Sequence, residues 1–486
     1  MEFPGRLIAA ALVTGLVWAT GAGAPYGAAS AAAIAPPYDV VIRNGRVMDP
    51  DTGLDATGLL IGIRGTRIAA ITRDALRGRL EIDAGGRVVA PGFIDILSYD
   101  PNPYGVWYKV ADGVTTNLAM HGAAVDMRAW YRAYERSRPP VHFGGAFFYT
   151  AARTRVGVGR YAAASPAQIA RLAILAEAAL RDGALGISMS PEYVPGTSTA
   201  EIEAMMRVAR RYDVPLSIHL RYSDMEPPGT NLEAINEILA AARKTSAAVH
   251  INHLNSTGGT FSMPQSLRLL DAARIEGLDI TACVYPYTFW ATYLNSARFD
   301  PGWQRRFRIG YADLQLAGSA ERLTSASFAR YRRQGKIAVA YAIPEEDVST
   351  ALRSPLVMIG SDAILEPGNN NHPRAAGTFA RTLGVYVRER RVLTLMDALR
   401  KMTIMPARRL EARAPALRRK GRLQVGADAD IVVFDPATVR DNATVERPNQ
   451  FSDGISHVLV AGRIVKDPRG LQRDVRPGTA VRAEHP

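Results

Sequence analysis

Cysteine is almost absent from this sequence: Cys283 is the single one in 486 residues. A lone thiol excludes an intramolecular disulfide, and its simplest place is a buried core. The apolar run Leu7 to Trp18 stops short of the roughly 20 residues that a bilayer span requires, so stable membrane insertion through it is not expected. No recognised nucleic-acid-binding motif accompanies the net charge of +13, which is spread over arginines with short clusters such as Arg305-Arg306, Arg332-Arg333 and Arg418-Arg419-Lys420. Charge of that kind is ordinarily a solvated face, so nucleic acid is not expected as a partner. Solenoid-like repeats are missing as well.

What is present begins with an N-terminal address. Arg6 precedes the short apolar run, and an Ala/Gly/Ser-rich stretch containing Ala29-Ser30-Ala31 follows it. This reads as a secretory signal peptide over residues 1–33, cut near Ala31 to Ala33, which makes the mature protein secreted or periplasmic. No cysteine lies near the cut, so lipid attachment there is excluded. An uncleaved anchor is the other reading of the segment.

At 486 residues and 47% apolar content the chain has material for a large core with a companion domain. Residues 34–90 are strand-rich. YDVVIRNGRVMD (Tyr38 to Asp49) reads as a hairpin turning at Asn44-Gly45, and LLIGIRGTRIAAI as a second turning at Arg64-Gly65. Residues 411–486 repeat the pattern in GADADIVVFD and in HVLVAGRIVKD (His457 to Asp467), so both termini are expected to build one small β-sandwich domain. Over residues 91–410 strands and helices alternate. Eight strand segments are expected: Gly92 to Ser98, Thr115 to His121, Val141 to Tyr149, Ala184 to Ser190, Leu216 to Leu220, Val249 to Leu254, Asp279 to Tyr287 and Val357 to Asp362. Helical spacing marks Pro166 to Arg181, Leu232 to Lys244 and Pro264 to Gly277, and Ser198-x-x-Glu201 reads as a capping box. The fold class is therefore α/β, a (β/α)8 TIM-type barrel with chemistry at the C-terminal ends of its strands. The Arg298 to Glu346 region exceeds an ordinary connection and is placed over the mouth of the barrel.

Four residues able to carry chemistry fall at strand ends: His121 on the second strand, His219 on the fifth, His253 on the sixth and Asp362 on the eighth. Three imidazoles leave one zinc position open for water, and a carboxylate beside them can take its proton. His250 and His253, three apart on a strand, face opposite ways; His253 is chosen because it lies nearer the C-terminal end. His142 begins its strand and reads as structural, while His372 lies in a loop after the eighth strand, free to meet substrate or solvent.

Six ordered segments, GVTTNLAMHG, SIHLRYS, INHLNSTGG, VYPYT, MIGSDA and HPRAAGTFARTLGVYVRE, resemble the N-acyl-D-amino-acid deacylases, the D-aminoacylase branch of the amidohydrolase superfamily. The resemblance continues through KMTIMPARRL and KGRLQVGADADIVVFDP and so covers nearly all of the chain after the signal. It implies hydrolysis of the amide of an N-acyl (D-)amino acid by a zinc-bound hydroxide. The family's tight zinc site, one cysteine and two histidines, matches His121, His219 and His253 here, so one Zn2+ per chain is implied; Asp362 matches the general base. By the same resemblance Tyr193, Tyr285 and Arg374 surround a small-molecule substrate, and Tyr285 is a candidate oxyanion donor. Arg374 suits a carboxylate.

The chain also departs from the family. The first barrel strand, in VVAPGFIDILSY, ends in Leu97-Ser98-Tyr99 where the family carries His-x-His for a second, weaker metal position. A family lysine is Asn255 and a serine is Ala291, which weakens a carboxylate site; Arg221 is an alternative anchor or a rim ion pair. The fourth strand, ALGISMSPEY, lacks the lysine that binuclear cyclic amidases carboxylate, which disfavours that chemistry. The competing expectations are a barrel that has lost catalysis and binds a small periplasmic ligand, and a dipeptidase or other small-amide hydrolase. Oligomeric state is not encoded in any of these motifs.

Overall fold

The computed structural model describes residues 37–223, 225–226 and 229–485. The expected signal peptide, residues 1–33, lies outside the described residues. No helix among the described residues is long and apolar enough to cross a membrane.

Eight parallel strands follow one another around a barrel: Phe93–Asp95, Val114–Ala124, His142–Phe148, Ile187–Met189, Leu216–Ile218, Val249–Ile251, Ile280–Val284 and Val357–Ile359. The eighth meets the first through the backbone, with the Asp362 amide donating to the Leu97 carbonyl at 2.7 Å and Ser98 bridging Ala363. Buried on both faces, these strands are mostly apolar rather than alternating, with a few buried polar residues such as Thr116, Asn117 and Ser217. The helices between them begin where the sequence caps them: Ser165 with Gln168, Ser198 with Glu201, and Thr230 with Glu233 form reciprocal capping boxes. The fold is the (β/α)8 barrel with a β-sandwich domain expected from the sequence.

Three barrel strands are only three residues long just before the site, so His219, His253 and Asp362 sit past their ends, whereas His121 lies within the longer Val114–Ala124 strand. His253 has φ 29° and Asp362 φ 51°, positions that non-glycine residues rarely take. Between the seventh and eighth strands an insertion forms a small antiparallel sheet of Trp290–Tyr293, Leu314–Leu316 and Ile337–Ala340. Residues at the start of this insertion, Ala291 to Tyr293 and Ser296, reach the barrel mouth, whereas the Arg298 to Glu346 region expected over the mouth supplies none of the cavity wall.

The termini together build a nine-stranded sheet with its own apolar core, including Val40, Ile42, Ile61, Ile63, Ile431 and Leu459. Its seam is Val88–Pro91 paired antiparallel with Ile431–Phe434. One expectation is corrected here. Tyr38–Asp49 is a single 12-residue strand, and Asn44-Gly45 is a bulge within it, because both halves pair with the continuous strand Leu54–Arg64. The second hairpin does form, one residue later than expected, with Gly65-Thr66 turning between the paired Arg64 and Arg67. The last residues of the 411–486 segment also leave the sheet: Val481 donates to the Phe143 carbonyl at 2.7 Å and Ala483 to Gly183 at 3.0 Å, tying the tail to the barrel. His142 joins the same two parts, accepting from the Thr479 amide at Nδ1 and facing Asp430 at 3.1 Å through Nε2.

Candidate active site

His121, His219 and His253 converge. His219 Nδ1 lies 3.1 Å from His253 Nε2, and His253 Nε2 lies 3.4 Å from His121 Nε2. Ligands 2.0–2.1 Å from a tetrahedral zinc stand about 3.3 Å apart, so these separations suit one small cation. The donor set fits in its chemistry too. Burial, together with nearby positive charge, holds the His219 and His253 pKa values well below the ordinary imidazole value, and burial lowers that of His121 despite Asp362. All three are therefore neutral at neutral pH, the form that ligates. His250 faces away, hydrogen-bonded through Nδ1 to Thr281 at 2.9 Å.

The far nitrogen of His219 is held as well. Its Nε2 is 2.6 Å from Glu192 Oε2, and Ser223 donates to the same oxygen at 2.8 Å. A carboxylate behind a ligating imidazole fixes its tautomer and raises its basicity. Burial raises the Glu192 pKa, while the Arg298 guanidinium, 3.7 Å away, pulls it down.

Asp362 faces the triad with Oδ1 3.8 Å from His121 Nε2 and Oδ2 3.9 Å from His253 Nε2. Arg374 Nη2 grips Oδ2 at 2.7 Å while Nε donates to the Asp362 carbonyl at 3.0 Å. Burial alone would raise the Asp362 pKa, but Arg374 and the imidazoles hold it below the usual carboxylate value. The carboxylate thus stays ionised, and its Oδ1 has no hydrogen-bond partner among the described residues.

These groups open into a cavity of about 450 Å3 whose wall includes His121, Asp362, Arg374, Tyr99 and Tyr193. Tyr193 packs against His219 with ring centroids 4.7 Å apart. The inserted sheet supplies Ala291, Thr292 and Tyr293 to the wall.

A family model described as the amidohydrolase family matches residues 109–465 of this chain. The chain belongs to the amidohydrolase family. Within that family it is of the D-aminoacylase type. An N-acyl-D-glutamate deacylase of Alcaligenes xylosoxydans xylosoxydans is 33% identical over 87% of this chain and 93% of its own length. A D-aminoacylase of the same organism is 32% identical over 88% and 94%. The crystal structure of an N-acyl-D-glutamate deacylase from Bordetella bronchiseptica, complexed with zinc and a phosphonate mimic of the tetrahedral intermediate, superposes with a TM-score of 0.79 at 29% identity, over 92% of this chain and 100% of that one. The protein is accordingly a hydrolase acting on carbon–nitrogen bonds other than peptide bonds.

Not every residue read from the sequence lies in this amidohydrolase cavity. Arg221 does not: its Nε and Nη2 hold both oxygens of Glu237 at 2.9 Å and Nη1 donates to Pro195, so it is the rim ion pair rather than an anchor. Tyr285 stands behind the wall instead of in it. Its ring is fully buried, and the Arg374 guanidinium lies over it at 4.7 Å. Asn255, where the family has lysine, donates inward to the Tyr285 carbonyl at 3.0 Å. His372 is structural: Nδ1 accepts from the Arg374 amide at 2.9 Å and Nε2 donates to the Phe289 carbonyl at 3.2 Å. Sequence reasoning missed Glu192, although its place beside Tyr193, directly after the fourth strand, was a signal available in SPEYVPG.

Proposed function

We propose that this protein is a mononuclear zinc enzyme that hydrolyses the amide bond of N-acyl-D-amino acids outside the cytoplasm. The observation that carries the reading is the convergence of three neutral imidazoles beside an ionised carboxylate whose Oδ1 is unengaged. Zinc held by His121, His219 and His253 would acidify a water and polarise the acyl carbonyl. The chain's own groups supply the remainder. Asp362 Oδ1 takes the proton of the attacking water and returns it to the leaving amine nitrogen. Arg374, by clamping Oδ2 and the backbone carbonyl, holds Asp362 in its left-handed turn so that Oδ1 keeps its aim. Its Nη1, without a protein partner among the described residues, is the donor left for the substrate's carboxylate. Tyr99 and Tyr193 are kept protonated by burial and can donate to the polarised carbonyl oxygen.

Export rests on Arg6, the Leu7 to Trp18 run and the Ala/Gly/Ser-rich stretch; cell fractionation of the full chain tests it, and protein confined to the cytoplasm would refute it. The enzymatic reading is tested on protein lacking residues 1–33. It predicts about one zinc per chain by elemental analysis and turnover of N-acetyl-D-amino acids over their L forms. An active protein without metal would sink the zinc assignment. Metal with no turnover of any N-acyl-amino acid, dipeptide or small amide would favour the ligand-binding barrel instead.

A further inference from the structure

The cavity differs from the rest of the molecule in its charge. The chain carries 59 Lys and Arg against 46 Asp and Glu, yet among the described residues Arg374 is the one Lys or Arg in the cavity wall, and it already grips Asp362. The mouth instead presents two acids, Asp100 and Glu366, and neither has an ion-pair partner among the described residues. Their loops are tied together: Asn102 Nδ2 donates to the Leu365 carbonyl at 2.9 Å, and Asn371 pins Glu366 through its backbone, accepting from its amide at 3.0 Å and donating to its carbonyl at 2.8 Å. Glu366 is thus fixed in its main chain while its carboxylate has one weak contact, Asn102 Nδ2 at 3.5 Å. Asp100 accepts from Trp130 Nε1 at 2.9 Å.

We propose that this cavity selects N-acyl amino acids with a cationic side chain of the lysine or arginine kind, whose charge is received by Asp100 and Glu366. This rests on the deacylase reading above and names its substrate class. Two more features of the wall suit a cation with a long apolar stem. Ser190 and Ser296, 4% and 8% exposed, line the cavity, and their hydroxyls have no hydrogen-bond partner among the described residues; a hydroxyl oxygen can accept from an ammonium or guanidinium. Phe148 and Tyr293 line the same space, and aromatic rings attract cations and cover methylenes. An acidic side chain would meet Asp100 and Glu366 with no free cation to offset them. The N-acyl-D-glutamate deacylases among the relatives therefore mark the family and not the side chain taken here.

The experiment compares kcat/KM and Kd for N-acetyl-D-lysine, N-acetyl-D-norleucine and N-acetyl-D-glutamate in the zinc-loaded enzyme and in Asp100→Asn/Glu366→Gln. The expected preference for lysine over norleucine is about tenfold, two partly screened ion pairs' worth, and it should collapse in the double variant and shrink with added salt. Preference for glutamate, or a lysine-to-norleucine ratio the same in both proteins, would overturn the proposal. Measuring binding beside turnover lets the two readings fail separately. Lysine-selective binding without hydrolysis would uphold the charge selection and sink the deacylase reading, whereas hydrolysis with no charge preference would do the reverse.

Discussion

The ring of Tyr99 lies against the imidazole of His121, with centroids 4.8 Å apart and planes 21° from parallel. Tyr99 stands where the family resemblance places one histidine of a second metal position. Leu97, the other, is fully buried in a small apolar cluster with Ile96, Cys283 and Met358. The two substitutions fill the space with an aromatic wall and a hydrocarbon plug, and they leave the three converging imidazoles intact. Cys283, read from the sequence as a core residue, is part of that plug.

Restoring histidine at both positions, Leu97→His with Tyr99→His, is expected to raise bound metal toward two ions per chain without being needed for turnover. Elemental analysis and kcat measured side by side check this. The variant should also lose stability, because an imidazole replaces a leucine in a packed cluster, by about 1–3 kcal/mol. A native protein that turned over only after the restoration would show that the centre needs two metals.

Glu192 is expected to set the grip on the metal through His219. Substituting Glu192→Gln keeps an acceptor for Nε2 but removes its charge, and Glu192→Ala removes both. Metal affinity measured by chelator competition should fall about tenfold in the first and up to about a hundredfold in the second. Equal affinity in all three proteins would mean that His219 is oriented by its packing against Tyr193 and not by the carboxylate.

Asp362→Asn is the sharpest separation of chemistry from binding. The amide keeps the size and can still accept from Arg374, but it cannot carry a proton from water to amine, so kcat should drop by about two to four orders of magnitude with zinc content unchanged. Loss of zinc along with activity would recast Asp362 as a metal ligand.

How far the sequence disclosed this arrangement depended on the range of the interaction. The barrel strands were legible because each is a mostly apolar run bounded by turn residues, and the helices because their caps are local: Ser198 and Glu201 meet within one turn. Asn44-Gly45 misled because a hairpin and a bulge make the same local demand, a residue with positive φ, here Asn44 at 56°. What decides between them is the partner strand Leu54–Arg64, which turn chemistry does not encode. Arg221 and Glu192 follow the same rule. One is claimed by Glu237 on the following helix and the other reaches His219 on the adjacent strand, pairings set only once the barrel closes.

One histidine outside the metal site, His250, bears on acid stability. His250 is buried, its Nε2 has no hydrogen-bond partner among the described residues, and burial with the nearby Arg409 charge lowers its pKa to about 3. The unfolded chain, with an ordinary imidazole near 6.5, binds that proton first as pH falls. Between the two values the unfolded state holds more protons than the folded one, so stability is lost as pH drops below the unfolded value and levels off only near the folded one. Each pH unit within that window weakens the fold by up to about 1.4 kcal/mol through this group. His250→Gln retains a partner for Thr281 Oγ1 without a titrating ring. Urea unfolding between about pH 6 and pH 4 should therefore give a shallower loss of stability for the variant than for the native protein. Parallel profiles would place the acid sensitivity in the converging imidazoles of the active site instead.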